Sequence, residues 1–227
     1  MIKVVVFDAY DTLFDVTAAA RRVAGEPGRA ALVGIWPRVA QDWRRKQLEY
    51  AWLRTVMGAK ADFLTVTEAG LDWALDAAGL ADAGLRARLL ALYRELDAFP
   101  EARSALERVR ASGVATAMLS NGSAEMLDAA VRSAGLTGLF DAVLSVESVG
   151  AFKPATAAYD LVGEHFAVAA AEVRYVTSNG WDAAGASRYG FDTVWVNRAA
   201  EPMDRVPWRP ARVLHDLSGV PDLEENP

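Results

Sequence analysis

The chain has 227 residues, is 52% hydrophobic, carries a net charge of −6 and contains no cysteine. A chain of this length buries about 70% of the surface it exposes when unfolded, so one large domain, or a domain with an insertion, is expected to fold without staples. The missing cysteines exclude disulfides, thiolate metal sites and a cysteine nucleophile, the acidic balance argues against nucleic acid as a partner, and no apolar stretch reaches the roughly 18 residues that span a membrane.

From the N-terminus, residues 2–8 read as a buried strand ending on an acid. The first residues lack the basic, apolar and small-residue pattern of a secretion leader, so a cytoplasmic location is expected. Residues 15–97 then read as helices without a convincing strand. Trp36, Val39, Trp43, Tyr50, Leu53 and Met57 recur at spacings of three, four and seven, one stripe of an amphipathic helix. Leu71, Ala74, Leu75 and Ala78 form a second stripe, and breaks are expected at 25–28 and 57–60. From there strands and helices alternate. Helices are expected at 100–110, 123–134, 154–166 and 182–189, with Gly113, Gly135 and Gly190 closing three of them. Strands are expected at 114–120, 142–146, 173–178 and 193–197. That rhythm predicts an α/β fold with a parallel, doubly wound sheet. The Pro-rich stretch 201–227 is expected to be irregular, docked on the core and then frayed.

Several residues carry chemistry by position. Asp8 stands at the carboxyl end of a strand, the edge where open α/β sheets bind ligands. An acid there serves either as a nucleophile or as a cap for the next turn. Ser120, Asn121 and Gly122 end the second core strand and open a helix, where hydroxyl, amide and free N–H groups suit an anion; plain N-capping explains them equally. Lys153 opens a helix against the dipole, which prefers acids there. Its charge is either solvated or matched by a carboxylate such as Asp8. Tyr159 and Trp181 are core or site residues by pattern alone. His165 and His215 have no motif around them.

Taken in order, these segments resemble the haloacid dehalogenase superfamily, and within it the L-2-haloacid dehalogenases. The resemblance covers most of the chain. It rests on Phe7-Asp8-Ala9-Tyr10-Asp11-Thr12-Leu13-Phe14, on Trp43-Arg44-Arg45-Lys46-Gln47-Leu48-Glu49-Tyr50, on Leu119-Ser120-Asn121-Gly122, on Phe152-Lys153-Pro154 with Tyr159, and on Thr177-Ser178-Asn179-Gly180-Trp181-Asp182. It implies a Rossmann-like core of residues 1–14 and 98–227 with an inserted α-helical cap at 15–97, acting as a lid. The implied reaction is hydrolysis of short (S)-2-haloacids to (R)-2-hydroxyacids through an ester on Asp8. In that scheme Arg44, Asn121 and Trp181 receive the halide, and Ser120 with backbone N–H groups holds the substrate carboxylate. Thr177, Asn179 and Asp182 position water, Lys153 and Thr12 keep Asp8 ionised and oriented, and Tyr159 supports Lys153. The partner is a small 2-haloacid, no cofactor is needed, and a homodimer is expected.

Two positions separate this reading from phosphatases of the same superfamily. Those carry a second acid two residues after the nucleophile, to protonate the leaving alkoxide. Here that residue is Tyr10, and a halide leaves without a proton. Phosphatases also gather at least two carboxylates in the last motif to hold Mg²⁺. Here only Asp182 is kept among Thr177, Ser178 and Asn179, so no metal is expected. A magnesium-dependent small-molecule phosphatase, or a non-catalytic member binding a carboxylate or a protein, stand as alternatives. The chain departs from the family in Asp11, where Gly is usual, and in Thr177, where Ser is usual. If the usual Gly holds a positive φ, Asp is among the residues that can follow it; Asp11 is expected to face solvent, because a second buried negative charge would oppose ionisation of Asp8.

Overall fold

The computed structural model describes residues 1–222. Strand β1, Val4–Phe7, is buried along its whole length and forms the centre of the fold. An apolar run buried on both faces is what a central parallel strand requires. The chain then makes a short strand β2, Phe14–Asp15, and runs through helices α1 (Ala18–Ala24), α2 (Ala30–Val33), α3 (Trp36–Met57), α4 (Phe63–Ala77) and α5 (Ala83–Tyr93). It returns on β3, Asp97–Ala98, which pairs antiparallel with β2. Outgoing and returning strands are thus held side by side.

The remainder alternates as expected: α6 (Ala102–Ala111), β4 (Ala115–Ser120), α7 (Ala124–Ser133), β5 (Ala142–Ser145), α8 (Thr156–Phe166), β6 (Val173–Thr177), α9 (Gly180–Tyr189), β7 (Asp192–Val196) and β8 (Arg212–Leu214). All six long-sheet strands are parallel, in the order β5-β4-β1-β6-β7-β8. The order reverses at β1, so the crevice at its carboxyl end is the topological switch point. Among the described residues no helix is long and apolar enough to cross a membrane.

Three sequence expectations need correction. The tail is not wholly irregular: β8 adds an edge strand to the sheet. It has three residues, too few for alternation to show. Two helices begin later than expected, at Ala102 and Thr156, and α9 begins earlier, at Gly180. The α3 stripe also splits. Val39 and Trp43 are buried, but Leu53 is 46% and Met57 68% exposed. Only the first half of α3 is packed on its full apolar face; Gly58, at φ 66, caps its end in the left-handed conformation.

Helix α4 lies against α3 at Gly70, where an added methyl would meet the backbone N of Gln47 at 3.0 Å and the carbonyl O of Trp43 at 3.2 Å. The indole N–H of Trp43 donates to the Thr67 carbonyl at 2.8 Å. That close approach fixes the one turn of α3 that carries Arg44.

Candidate active site

The adjacent ends of β4, β1 and β6 bring three sequence motifs to one point. Asp8 directly follows β1, and its carboxylate is 4% exposed at the residue level. One oxygen, Oδ1, accepts from Lys153 Nζ at 2.7 Å. The other, Oδ2, accepts from the Thr12 hydroxyl at 2.9 Å and the Asn179 amide at 2.9 Å, with the Thr177 hydroxyl 3.4 Å away. A carboxylate taking this many donors is held in one orientation. Thr12 is itself fixed by the Ser178 N–H at 2.8 Å.

Lys153 is 1% exposed, so its charge is matched by carboxylates and not by water. Its ammonium touches Asp8 Oδ1 at 2.7 Å, Asp182 Oδ2 at 2.8 Å and the Tyr175 hydroxyl at 2.7 Å. Burial alone would lower its pKa; Asp182 and Asp8 outweigh that and hold it above the ordinary lysine value. Asp182 is fully buried, which pushes its carboxyl above the usual carboxylate range against the pull of Lys153, and the Asp8 charge adds to the rise. Its Oδ2 also accepts from Tyr175 at 2.9 Å, and its Oδ1 from Tyr159 at 2.7 Å. Tyr159 was expected to support Lys153. It contacts Asp182 instead and reaches Lys153 only through that carboxylate. Asp182, expected to hold water, is likewise one step removed from the chamber.

The chamber itself has a volume of about 10 Å³ and is lined by Asp8, Tyr10, Arg44, Leu48, Phe63, Asn121, Lys153, Asn179 and Trp181. Asn121 commits its carbonyl oxygen to the Lys153 N–H at 2.8 Å, which leaves its amide N–H groups as the donors it offers. Ser120 is fully buried and its Oγ accepts from the Gly122 N–H at 3.1 Å; it underlies the wall and is not part of the lining. Thr177 likewise contacts Asp8 from below. Trp181 is partly exposed and meets Trp52 edge to face, 5.4 Å between centroids.

Tyr10 packs between helices, its ring 5.4 Å from Phe63 and 5.6 Å from Tyr93. Its hydroxyl has no partner, and burial pushes its pKa well up. A methyl on Gly122 would lie 2.6 Å from that hydroxyl, so glycine is what lets Tyr10 close over the strand end.

Arg44 enters the chamber from α3. Its side chain is 16% exposed, against 73% for Arg38 and 48% for Arg45, whose charges are spent on surface acids. Nε donates to Asp11 at 2.8 Å and Nη1 to Gln47 at 2.8 Å, with Nη2 3.5 Å from Asn179. Asp11 has the positive φ anticipated for it, 65°. The expectation that it faces solvent is overturned: its carboxylate is bound to Arg44. The physical reason is that a cation stands within reach and removes the repulsion that argument relied on.

Sequence reasoning missed Tyr175, Gln47, Phe63 and Tyr93. Tyr175 alternates with Thr177 along β6, so period two placed it on the same face. Gln47 is 1% exposed and its amide donates to Thr67 at 2.7 Å and to Tyr93 at 3.0 Å. A buried Gln amid an apolar stripe was the signal available.

The donor set does not suit a divalent cation. Hard cations want several carboxylate oxygens, and here the Lys153 ammonium occupies the space between the two acids, bonded to both. Among the described residues no group of three or more His, Asp or Glu side chains is gathered.

The haloacid dehalogenase-like hydrolase model matches residues 2–190. (S)-2-haloacid dehalogenase 1 of Pseudomonas sp. strain CBS-3 is 40% identical over 99% of this chain and 96% of its own length. The (S)-2-haloacid dehalogenase of Xanthobacter autotrophicus is 43% identical over 88% of this chain and 77% of its own. The solved L-2-haloacid dehalogenase from Xanthobacter autotrophicus with chloropropionic acid covalently bound superposes with a TM-score of 0.87 at 37% identity, covering 98% of each chain. A parallel sheet with its acid at the switch point, and likeness along nearly the whole chain, lead to one conclusion: the chain belongs to the haloacid dehalogenase-like hydrolase family.

Proposed function

We propose that the protein is an (S)-2-haloacid dehalogenase that converts short (S)-2-haloacids to (R)-2-hydroxyacids. The observation that carries this reading is the pairing of Asp8 and Arg44 as walls of one small chamber. One supplies a carboxylate nucleophile, the other a cation for a departing halide. Asp8 attacks C2, the carbon–halogen bond breaks, and the halide leaves toward Arg44, the amide of Asn121 and the face of Trp181. Preplaced donors of this kind stabilise charge as it develops. Water held by Asn179, with Thr177 behind the Asp8 carboxylate, then attacks the ester carbonyl of Asp8, and C2 keeps its inverted configuration. The bond from that carbonyl to the C2 oxygen breaks, one of water's two protons passes to the departing alkoxide and the other is released to solvent, which leaves Asp8 a carboxylate. Backbone N–H groups hold the substrate carboxylate, Ser120 braces that wall from beneath through the Gly122 N–H, Thr12 orients Asp8, and Tyr159 acts on Asp182. Residues 15–97 serve as the lid over a core of 1–14 and 98–227.

The phosphatase alternative lacks support at two places: Tyr10 stands where an alkoxide's acid would be, and Lys153 fills the space a metal would need. Halide release from both enantiomers of 2-chloropropionate, with EDTA present, tests the proposal beside p-nitrophenyl phosphate with Mg²⁺. Release from the (S) form alone is expected, with isotope from labelled water entering the Asp8 carboxylate over repeated turnovers. Magnesium-dependent phosphate release without halide release would overturn it. A cytoplasmic location and a homodimer are part of the same proposal. The exposed apolar group Leu53, Val56 and Met57 on α3 supports the homodimer. Sedimentation should show a dimer that Val56→Asp weakens; a monomer at micromolar concentration would contradict it.

A further inference from the structure

Outside the chamber lies a larger cavity of about 680 Å³, and Leu48, Asn179 and Trp181 form walls of both. Asp11 lines the outer cavity while its carboxylate binds Arg44 of the inner one. The ion pair therefore stands at the boundary between the two spaces. Its halves lie on separate elements, Asp11 on the loop after β1 and Arg44 on α3. The closed chamber has room for about one water.

The donors of Arg44 are unevenly spent. Nε is taken by Asp11 and Nη1 by Gln47, both at 2.8 Å. Nη2 is 3.5 Å from Asn179, at the outer limit of a hydrogen bond, and so is left for another acceptor. Asp11 is the acid that pairs with this guanidinium among the described residues. Its backbone sits at φ 65°, a conformation that costs most side chains energy and that Asp and Asn tolerate best.

We propose that Asp11 is the resting counter-ion of Arg44, an internal carboxylate that holds the guanidinium while the chamber is empty and competes for it with small anions. The inference deepens the dehalogenase reading and rests on it, since that reading supplies the anions: a 2-haloacid on the way in and a halide on the way out. A tethered carboxylate competes at high effective concentration. It keeps stray chloride off Arg44, and it reclaims the guanidinium after turnover, which drives the product halide away. Asp11 is a positioning residue in this scheme; it touches no reacting atom.

The test is the affinity of the resting enzyme for halide, read by line broadening of the chloride NMR signal and its reversal by bromide. Asp11→Asn keeps the backbone conformation and removes the charge; Asp11→Gly is the second variant, free of any side chain. Both are expected to bind bromide about tenfold more tightly than the parent. Opposite charges at this range shift an equilibrium by about 10- to 1,000-fold, and the low end applies because the carboxylate is 33% exposed. Bromide should also become a correspondingly stronger inhibitor of halide release from 2-chloropropionate. Equal or weaker bromide binding in both variants, with halide release intact, would overturn the counter-ion role and leave the dehalogenase reading standing. A parent protein that neither broadens chloride nor releases halide would overturn both.

Discussion

At the scale of single residues, the site is organised by one ammonium group. Lys153 binds Asp8 and Asp182 at once, and two tyrosine hydroxyls complete the shell around Asp182. Asp182 must be ionised to balance Lys153. Burial raises its pKa, so the acid limb of turnover should lie above the ordinary aspartate value of 3.8. The hydrogen bond from Tyr159 favours the charged form and works the other way. Tyr159→Phe removes it, and the acid limb should move to still higher pH while the plateau at neutral pH changes less. A pH profile of kcat checks this; an unmoved or lowered limb would show that Tyr159 does not act on Asp182. The charged members of this cluster were legible from the sequence. Asp8 ended a strand and Lys153 stood just ahead of a helix that begins at Thr156; by pattern alone each had a plain structural explanation, and the family resemblance is what paired them. Tyr175 and Gln47 were missed although each left a signal, the two-residue spacing from Tyr175 to Thr177 and a polar Gln47 within an apolar stripe, because neither signal names the partner it meets. Asp11 was legible in its backbone and not in its direction, since its partner lies 33 positions away on another element.

At the scale of elements, the position of α3 decides whether Arg44 reaches the chamber. Helix α4 holds it there through Gly70, against which the backbone of Trp43 and Gln47 packs. Gly70→Ala would place a methyl 3.0 Å from the Gln47 nitrogen, tighter than packed helices allow, so α3 must shift or tilt. Overpacking of this kind costs about 1–3 kcal/mol. The expected signature is a fall in kcat of about tenfold, the low side of what a lost donor costs, together with a modest drop in Tm. Gly34→Ala, where a methyl meets nothing within 4 Å, is the control and should change neither. Full activity in Gly70→Ala would mean that α3 is held by other contacts. The sequence showed α3 and α4 as amphipathic stripes, but periodicity says only which face is buried. It cannot say that one glycine sets the distance between two faces. It also overstated the packed length of α3, because Leu53 and Met57 continue the stripe but are left exposed.

At the scale of the whole molecule, the strand order β4-β1-β6 is what converts three distant segments into one site. Alternating strands and helices predicted the parallel sheet, and the switch point followed from it. The edge strand β8 escaped, being three residues long and carried by an irregular stretch. The closed chamber has a last consequence, which concerns how the enzyme survives its own chemistry. In the proposed reaction each turnover turns Asp8 into an activated ester, and whatever attacks that carbonyl stays on the protein. Water restores the carboxylate; an alcohol would leave an alkyl ester and a dead enzyme. Walls that close to a comparable extent over the ester would act as a size filter for the deacylating nucleophile. Turnover in buffer containing methanol should leave Asp8 free of methyl ester by peptide mass spectrometry, even after many cycles. Steady methylation of Asp8 during turnover would mean that the chamber stays open to solvent while the ester lives, and that the enzyme depends on the scarcity of small alcohols around it for its lifetime.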